Sequence, residues 1–530
     1  MREPTQAARY ASAGGPGASA PRNARHAGRP AAAHGADTVL GPANARRGRA
    51  AGVAAAVSAL LLAAGCAVGP NYSAPDLALD PGFVNAGSAS VNAQPPGTDI
   101  ATFWNGFGDP VLSQLIERAL AVNHDVRIAQ ARLQEARSLL GGAQAELLPE
   151  IDVAADAGRA LQPGYLVPGA SRSQRTGNAF DAGFIANWEL DFFGRNRRAT
   201  EAAAAQVDAT QAGVHAAQTV VAAEVARNYL DLRGLQQRYA VAERSLGNQR
   251  ETLRLTDVRR EAGRGTQLDV VRARSLFDST ESVLPALQAA IDRDAFRLAT
   301  LTAQAPRTVS ALLAPPQPLP SLPVTDLAAL PIGVPEQLLR RRPDLIAAER
   351  QLAAATAAIG VATADLFPRI SLTGLIGFAS DRVGDLGRGD SFQYSFGAGL
   401  SWPLLDFGRV RSRIGASEAR AGQALASYEQ TVATALEETE GALSQFTRAA
   451  QQAERLASSS RNADEATRLS RLRFNAGSVD LLIVLDAERQ ALAARDALVQ
   501  AQLSQAVALV TVYRSLGGGW DAGAATVGMR

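Results

Sequence analysis

The side chains that could do chemistry here are few. Four histidines and one cysteine are spread over 530 residues, so no disulfide or Cys/His metal cluster can be built within one chain. His26 and His34 fall in an N-terminal stretch rich in Ala, Gly, Pro and Arg. A Ser-His-Asp arrangement would have to use His124 or His215; both lie in helical pattern without a nucleophile motif beside them, as helix-surface residues do. The chain therefore reads as no enzyme, with no cofactor and no metal. Its basic residues are all arginine, interleaved with Asp and Glu at a net charge of +2. That gives solvated helix faces, not the one-sided basic surface a nucleic acid needs.

The remaining reactive group is the lone thiol. Arg46, Arg47 and Arg49 precede an apolar run over residues 50–64, too short to span a bilayer, and Gly65-Cys66 closes it. This is the layout of a secretory signal peptide. Leu62-Ala-Ala-Gly65-Cys66 resembles a bacterial lipobox, which implies cleavage before Cys66, thioether lipidation of its sulfur and acylation of the new amine. Ala63 departs from the leucine that the pattern prefers, and Ala67 follows the cysteine, which implies outer-membrane sorting. Lipid would tether the mature chain without inserting it. Because Met1 and Met529 are the only methionines, translation is expected to start at a non-ATG codon near Val39.

The elements that would position such an anchor are duplicated. Ala145-Glu-Leu-Leu-Pro149-Glu-Ile151 returns as Ala364-Asp-Leu-Phe-Pro368-Arg-Ile370, and Trp188-Glu-Leu-Asp-Phe-Phe-Gly194-Arg195 returns as Trp402-Pro-Leu-Leu-Asp-Phe-Gly408-Arg409. Each repeat ends in a turn, Ala262-Gly263-Arg264 and Ala476-Gly477-Ser478. Such self-similarity points to one structural unit packed against its copy.

Period-two alternation places Phe180, Phe184 and Trp188 on one strand face, and Phe392, Tyr394, Phe396, Leu400 and Trp402 on another, opposite polar or small residues. Their partners begin at Ile151 and Ile370. The strands are expected to be about 9 to 11 residues long, the span of a tilted membrane strand. Four strands cannot close a membrane barrel, and an open edge in lipid leaves backbone groups unpaired at several kcal/mol each. Pooling between chains is therefore expected, and three chains would give about twelve strands.

From Gly194-Arg195 to Gly263, and from Gly408-Arg409 to Gly477, helical pattern runs for about 67 residues, or roughly 100 Å. A heptad row, Val207, Val214 and Val221, steps by four to Val225 and continues through Leu232, Tyr239, Leu246 and Leu253, a stutter that straightens supercoiled packing. Returning helices are expected over 266–302 and 479–516, further ones over 125–145 and 343–366, and an extended connector over the proline-rich 306–334.

On Cys66-Ala-Val-Gly-Pro-Asn-Tyr72, Phe103-Trp104, Leu339-Arg-Arg-Arg-Pro343-Asp344-Leu345, Ala348-Glu349, Phe474-Asn-Ala-Gly477, Val484-Leu485-Asp486-Ala487 and Leu516-Gly-Gly-Gly-Trp520, the chain resembles the TolC-like outer membrane factors. The match is to the lipoprotein branch that serves resistance-nodulation-division (RND-type) efflux pumps. The resemblance implies a membrane α+β fold: a trimeric 12-stranded outer-membrane β-barrel with four strands per chain, continued by a long periplasmic α-helical barrel and built from two internal repeats. It implies a homotrimer acting as a passive exit duct for small molecules, with a periplasmic adaptor and an inner-membrane RND-type transporter as partners. A duct for type I protein secretion and a lipid-anchored periplasmic coiled-coil adaptor are the alternatives; an adaptor should carry biotinyl-like and small β-barrel modules, and none is visible.

The divisions expected are a leader (1–65), an N-terminal equatorial segment (66–109), repeat 1 (110–305), the connector (306–334), repeat 2 (335–516) and a tail (517–530). The family closes its channel at the periplasmic helix turns with acidic rings. Carried over by resemblance, Asp269 matches the gate acid of the first repeat and Asp486 one acid of the second. Ile483 stands where another acid is expected, and Asp480, on the same helix face, either replaces that charge or serves the helix N-terminus. Phe474 lies beside the second turn. Arg264, Arg473 and Arg489 are the candidates to hold the closed tip by pairing between helices.

Overall fold

The computed structural model describes residues 67–85, 100–325 and 332–518, which belong to one unit, Ala63–Arg530. The leader, Cys66, Pro331 and Trp520 lie outside the described residues. Helices α1 (Ile100–Asn105), α2 (Pro110–Val122) and α3 (His124–Ala145) lead into strand β1 (Glu150–Leu161). A short helix α4 (Arg172–Arg175) precedes β2 (Thr176–Leu190), which feeds α5 (Arg195–Glu261). Then come α6 (Gln267–Glu281), α7 (Val283–Leu301), α8 (Pro306–Leu313), α9 (Pro335–Arg341) and α10 (Pro343–Ala364). The second half repeats the first, with β3 (Arg369–Ser380), β4 (Phe392–Ser401), α11 (Arg409–Asn475) and α12 (Leu481–Ser515).

The strands form one antiparallel sheet in the order β1-β2-β3-β4. The two hairpins are superimposable in register, since Glu150 faces Asn187 in the first and their repeat counterparts Arg369 and Ser401 face each other in the second. Phe184, Ile376 and Tyr394 are successive partners across the sheet, so the expected apolar face is continuous. The strands run to 12, 15, 12 and 10 residues, longer on average than expected, because hydrogen bonding continues past the apolar stretch into the loops.

Both long helices contain 67 residues and begin alike. Gly194 and Gly408 sit at their N-caps with φ of 77° and 89°, a left-handed conformation that favours glycine. The Asp191 carboxylate accepts from the N–H groups of Asn196 and Arg197 at 3.1 and 2.9 Å, and Asp406 accepts from Gly408 and Val410 at 3.0 and 2.6 Å. Trp188 donates its indole N–H to Leu147 O at 3.0 Å, as Trp402 does to Leu366 O at 2.9 Å. Each strand pair is thereby tied to the helix preceding it.

Helix α5 is packed by α3, α6, α7, α10 and α12. Its heptad row faces inward: Val207, Val214, Val221, Val225, Leu232 and Leu246 are all buried. The largest core gathers where Tyr229 and Leu232 of α5, Leu443 and Phe446 of α11, and Leu509 and Tyr513 of α12 meet Trp104 and Leu112. Phe103 stacks on Tyr513 at 3.9 Å.

Three expectations are corrected. The returning helix over 266–302 divides at Ser282 into α6 and α7, because the Pro285 ring clashes with the carbonyl of the residue four before it, Glu281. Its repeat counterpart is Val499, and α12 runs unbroken. The connector is not extended from its start, since Pro306 opens α8, where a proline is tolerated, and Val309 and Leu313 are buried. His215 is buried, not on the helix surface, with its ring against Gln211 at 3.1 Å.

Candidate channel gate and sheet edges

Each long helix ends in the same hydrogen-bonded turn. Arg264 N donates to Arg259 O at 2.8 Å and Gly263 N to Arg260 O at 3.0 Å; Ser478 N donates to Arg473 O at 2.9 Å and Gly477 N to Phe474 O at 3.0 Å. This is the Schellman pattern with its glycine in the left-handed region, at φ of 70° for Gly263 and 74° for Gly477.

At these turns four helices converge. Ala273 of α6 packs with Leu481, Val484 and Leu485 of α12, with Leu253 of α5 and Phe474 of α11 against them. The Arg259 guanidinium lies 4.1 Å from the Phe474 ring centroid, a cation–π contact joining α5 to α11.

The three candidate acids have different surroundings. Asp269 accepts from Thr266 N at 3.1 Å and Thr266 Oγ1 at 2.7 Å, while Thr266 Oγ1 accepts from Asp269 N. This is a capping box at the start of α6. Asp486 accepts from Arg489 and Gln490 at 2.6 Å each. Asp480 is the N-cap of α12 but makes no side-chain capping bond, and Ile483 is half-exposed beside it.

Within one chain and among the described residues, Arg264, Arg473 and Arg489 make no ion pair between helices. Arg489 pairs within its own helix, three residues from Asp486, the geometry that adjacent helical turns favour. Arg264 and Arg473 form no ion pair among the described residues; both are exposed, and in the turns their backbone groups make the bonds.

Between the helices the pairing is made by residues not singled out in the sequence. Glu488 Oε1 accepts from Arg471 Nη2 at 2.6 Å and from Thr252 Oγ1 at 2.9 Å, so one buried carboxylate joins α5, α11 and α12. Asp464 and Arg495 pair farther along, at 2.8 Å. A signal existed: each pair stands at equal sequence distances on either side of the bond between Val479 and Asp480, so an antiparallel helical hairpin brings the two residues face to face.

The other end holds the first described residues of the chain. Val68 N donates to Phe193 O at 3.1 Å. The nearly buried Arg198 guanidinium donates to Val68 O, Gly69 O and Asn71 Oδ1 at 3.1, 3.3 and 2.7 Å. The chain just after Cys66 is thus strapped to the junction of β2 and α5. Nearby, Arg195 approaches Asp365 at 3.7 Å and Arg413 approaches it at 2.9 Å. In the sheet above, β1 and β4 are edges with no partner among the described residues.

A family described as outer membrane efflux protein matches residues 115–304 and 334–518 of the chain. The pyoverdine export outer membrane protein OpmQ of Pseudomonas aeruginosa is similar over 427 residues at 34% identity, which is 80% of this chain and 88% of that one. Outer membrane protein OprJ of the same organism is similar over 479 residues at 33% identity, 90% and 97% of the two chains. The solved structure of the outer-membrane channel OprN superposes with a TM-score of 0.79 at 40% identity, covering 86% of this chain and 100% of that one.

Proposed function

The chain belongs to the outer membrane efflux protein family and is an efflux channel of the outer membrane; from that premise we propose that three copies assemble into one passive duct. The observation that carries this reading is a sheet of four strands with both edges unpaired among the described residues, each half of which runs into a helix of 67 residues. Backbone groups left unpaired in lipid cost several kcal/mol each, so the edges must be closed by other copies. Three chains supply about twelve strands, more than the roughly eight of the smallest membrane barrels. Below the barrel the long helices and their returning partners continue the wall as a periplasmic helical barrel. Residues 110–305 and 335–516 are its two repeats.

Energy is supplied from outside the duct, by an inner-membrane RND-type transporter joined through a periplasmic adaptor. The gate lies at the turns around Gly263 and Gly477, where three copies bring Asp269, Asp486 and Asp480 toward one axis. Arg264, Arg473, Arg489 and Phe474 line the same end. Cys66 carries the lipid; the strap from Val68 to Asn71 supports this by holding the next residues beside the strand ends, where a membrane boundary would fall. Mass spectrometry of the purified protein is expected to find Cys66 as a lipidated N-terminus, and an unmodified Cys66 inside a longer chain would remove the anchor from the account.

A strain lacking the chain is expected to become sensitive to detergents and antibiotics and to regain resistance when the gene is restored. Unchanged sensitivity together with loss of a secreted protein would assign the duct to protein secretion.

A further inference from the structure

The two sheet edges are unpaired among the described residues of one chain, but the internal repeat contains the contact they lack. Strands β2 and β3 belong to different repeats and pair directly, with Asn187 facing Thr373 and Leu190 facing Ile370. Carrying β2 onto β4 (Trp188 onto Trp402) and β3 onto β1 (Ile370 onto Ile151) turns this junction into one between β4 and the β1 of a second copy. The two hairpins already obey the mapping in register. We propose that β4 of one copy pairs antiparallel with β1 of the next in this transferred register, with Ser401 facing Ala154 and Leu404 facing Ile151 across the subunit boundary. The proposal rests on the trimer reading and specifies its interface.

Four observations favour this register. It keeps Leu400 and Trp402 on the same face as Ile151 and Val153, whereas a slip of one residue would turn one apolar row into the lumen. It also recreates a glycine pair. Gly183 faces Gly377 at the β2–β3 junction, so close that a Cβ on Gly183 would lie 2.7 Å from Ile376 O and one on Gly377 2.4 Å from Ala182 O. The counterparts, Gly397 and Gly158, are again both glycine and would face each other across the boundary, although nothing in their own chain comes within 4 Å of a Cβ on Gly158.

Below the strands, Phe193 stacks on Phe367 at 4.6 Å. The counterparts are Phe407 and Leu148, which are 94% and 66% exposed, and Phe407 holds a φ of 53° that non-glycine residues rarely adopt. Arg195 meets Asp365; the counterparts Arg409 and Glu146 are exposed and form no ion pair among the described residues. Each of these contacts between repeats is thus matched by two exposed counterparts at the chain's outer edges.

Cysteine cross-linking in the full chain tests the register. The pair Ser401→Cys with Ala154→Cys, mildly oxidised in membranes, is expected to give covalent trimers on a non-reducing gel, at several times the yield of Ser401→Cys with Asp156→Cys. Each single variant should give none, which sets aside Cys66. Gly158→Leu, whose Cβ would meet nothing within 4 Å among the described residues of its own chain, is expected to lower the melting temperature of the assembly. Equal yields from both pairs, or an unaffected Gly158→Leu assembly, would overturn the register. The mass of the unlinked detergent complex separates the two levels: three chains without the Ser401–Ala154 link refutes the register alone, and a single chain refutes the trimer as well.

Discussion

Arg471 and Glu488 close the α11–α12 hairpin from within, the guanidinium 2.6 Å from a carboxylate that is 6% exposed. The second oxygen, Oε2, is buried and makes no hydrogen bond among the described residues, so the charge depends on its bonds at Oε1. Arg471→Ala is expected to leave that charge uncompensated and destabilise the tip, on the order of 2 kcal/mol, less than a fully buried pair because Arg471 is partly exposed. Adding Glu488→Gln should recover most of the loss. Thermal unfolding followed by circular dichroism checks this, and a double variant no more stable than Arg471→Ala alone would contradict it.

The acid rings are expected to set ion preference. In Asp269→Ala with Asp486→Ala, the proposed trimer would lose six carboxylates near its axis, and each Asp486→Ala also frees Arg489 from its partner. Cation preference in planar bilayers should fall, read as a shift in reversal potential under a salt gradient. An unchanged reversal potential would remove both acids from the entrance.

Acid should weaken the fold through His215. Burial pushes its pKa from 6.5 down to about 4, so below about pH 6.5 the unfolded chain binds a proton that the folded chain refuses. Stability is therefore fully present above the unfolded pKa and declines as pH falls toward about 4, by on the order of 2 kcal/mol per chain. His215→Gln keeps an amide beside Gln211 and has no such titration. Its melting temperature should drop less between about pH 7.5 and about pH 5 than that of the parent chain; equal drops would place the acid sensitivity elsewhere.

The duplicated markers made much of this legible before any coordinates. The Trp188 and Trp402 motifs mark the strand ends, and the glycines at 194, 263, 408 and 477 bracket both long helices, which run from Arg195 to Glu261 and from Arg409 to Asn475, because helix termination by left-handed glycine is local chemistry. What escaped depended on packing. Nothing local to His215 says that helices cover it, and the break at Ser282 needed Pro285 to be weighed against strong flanking helical pattern. The two helix turns are legible in the sequence as places but not as sets of contacts: within one chain Arg489 pairs with Asp486 on its own helix. A lone Glu in a helix gives no sign of burial, so Glu488 is not legible in the sequence; its relation to Arg471 emerges only when the hairpin is folded about its turn.

With four strands in its sheet, one chain is not expected to close a membrane barrel alone. The measurement that bears on it most directly is the protein mass of the purified complex in detergent, by light scattering with the detergent contribution subtracted. Three times the 55.3 kDa of the full chain, less whatever leader is removed from each copy, is the predicted result, in a particle that conducts ions when placed in a planar bilayer. A conducting particle with the mass of a single chain would contradict the account, since its four strands would then have closed a channel alone.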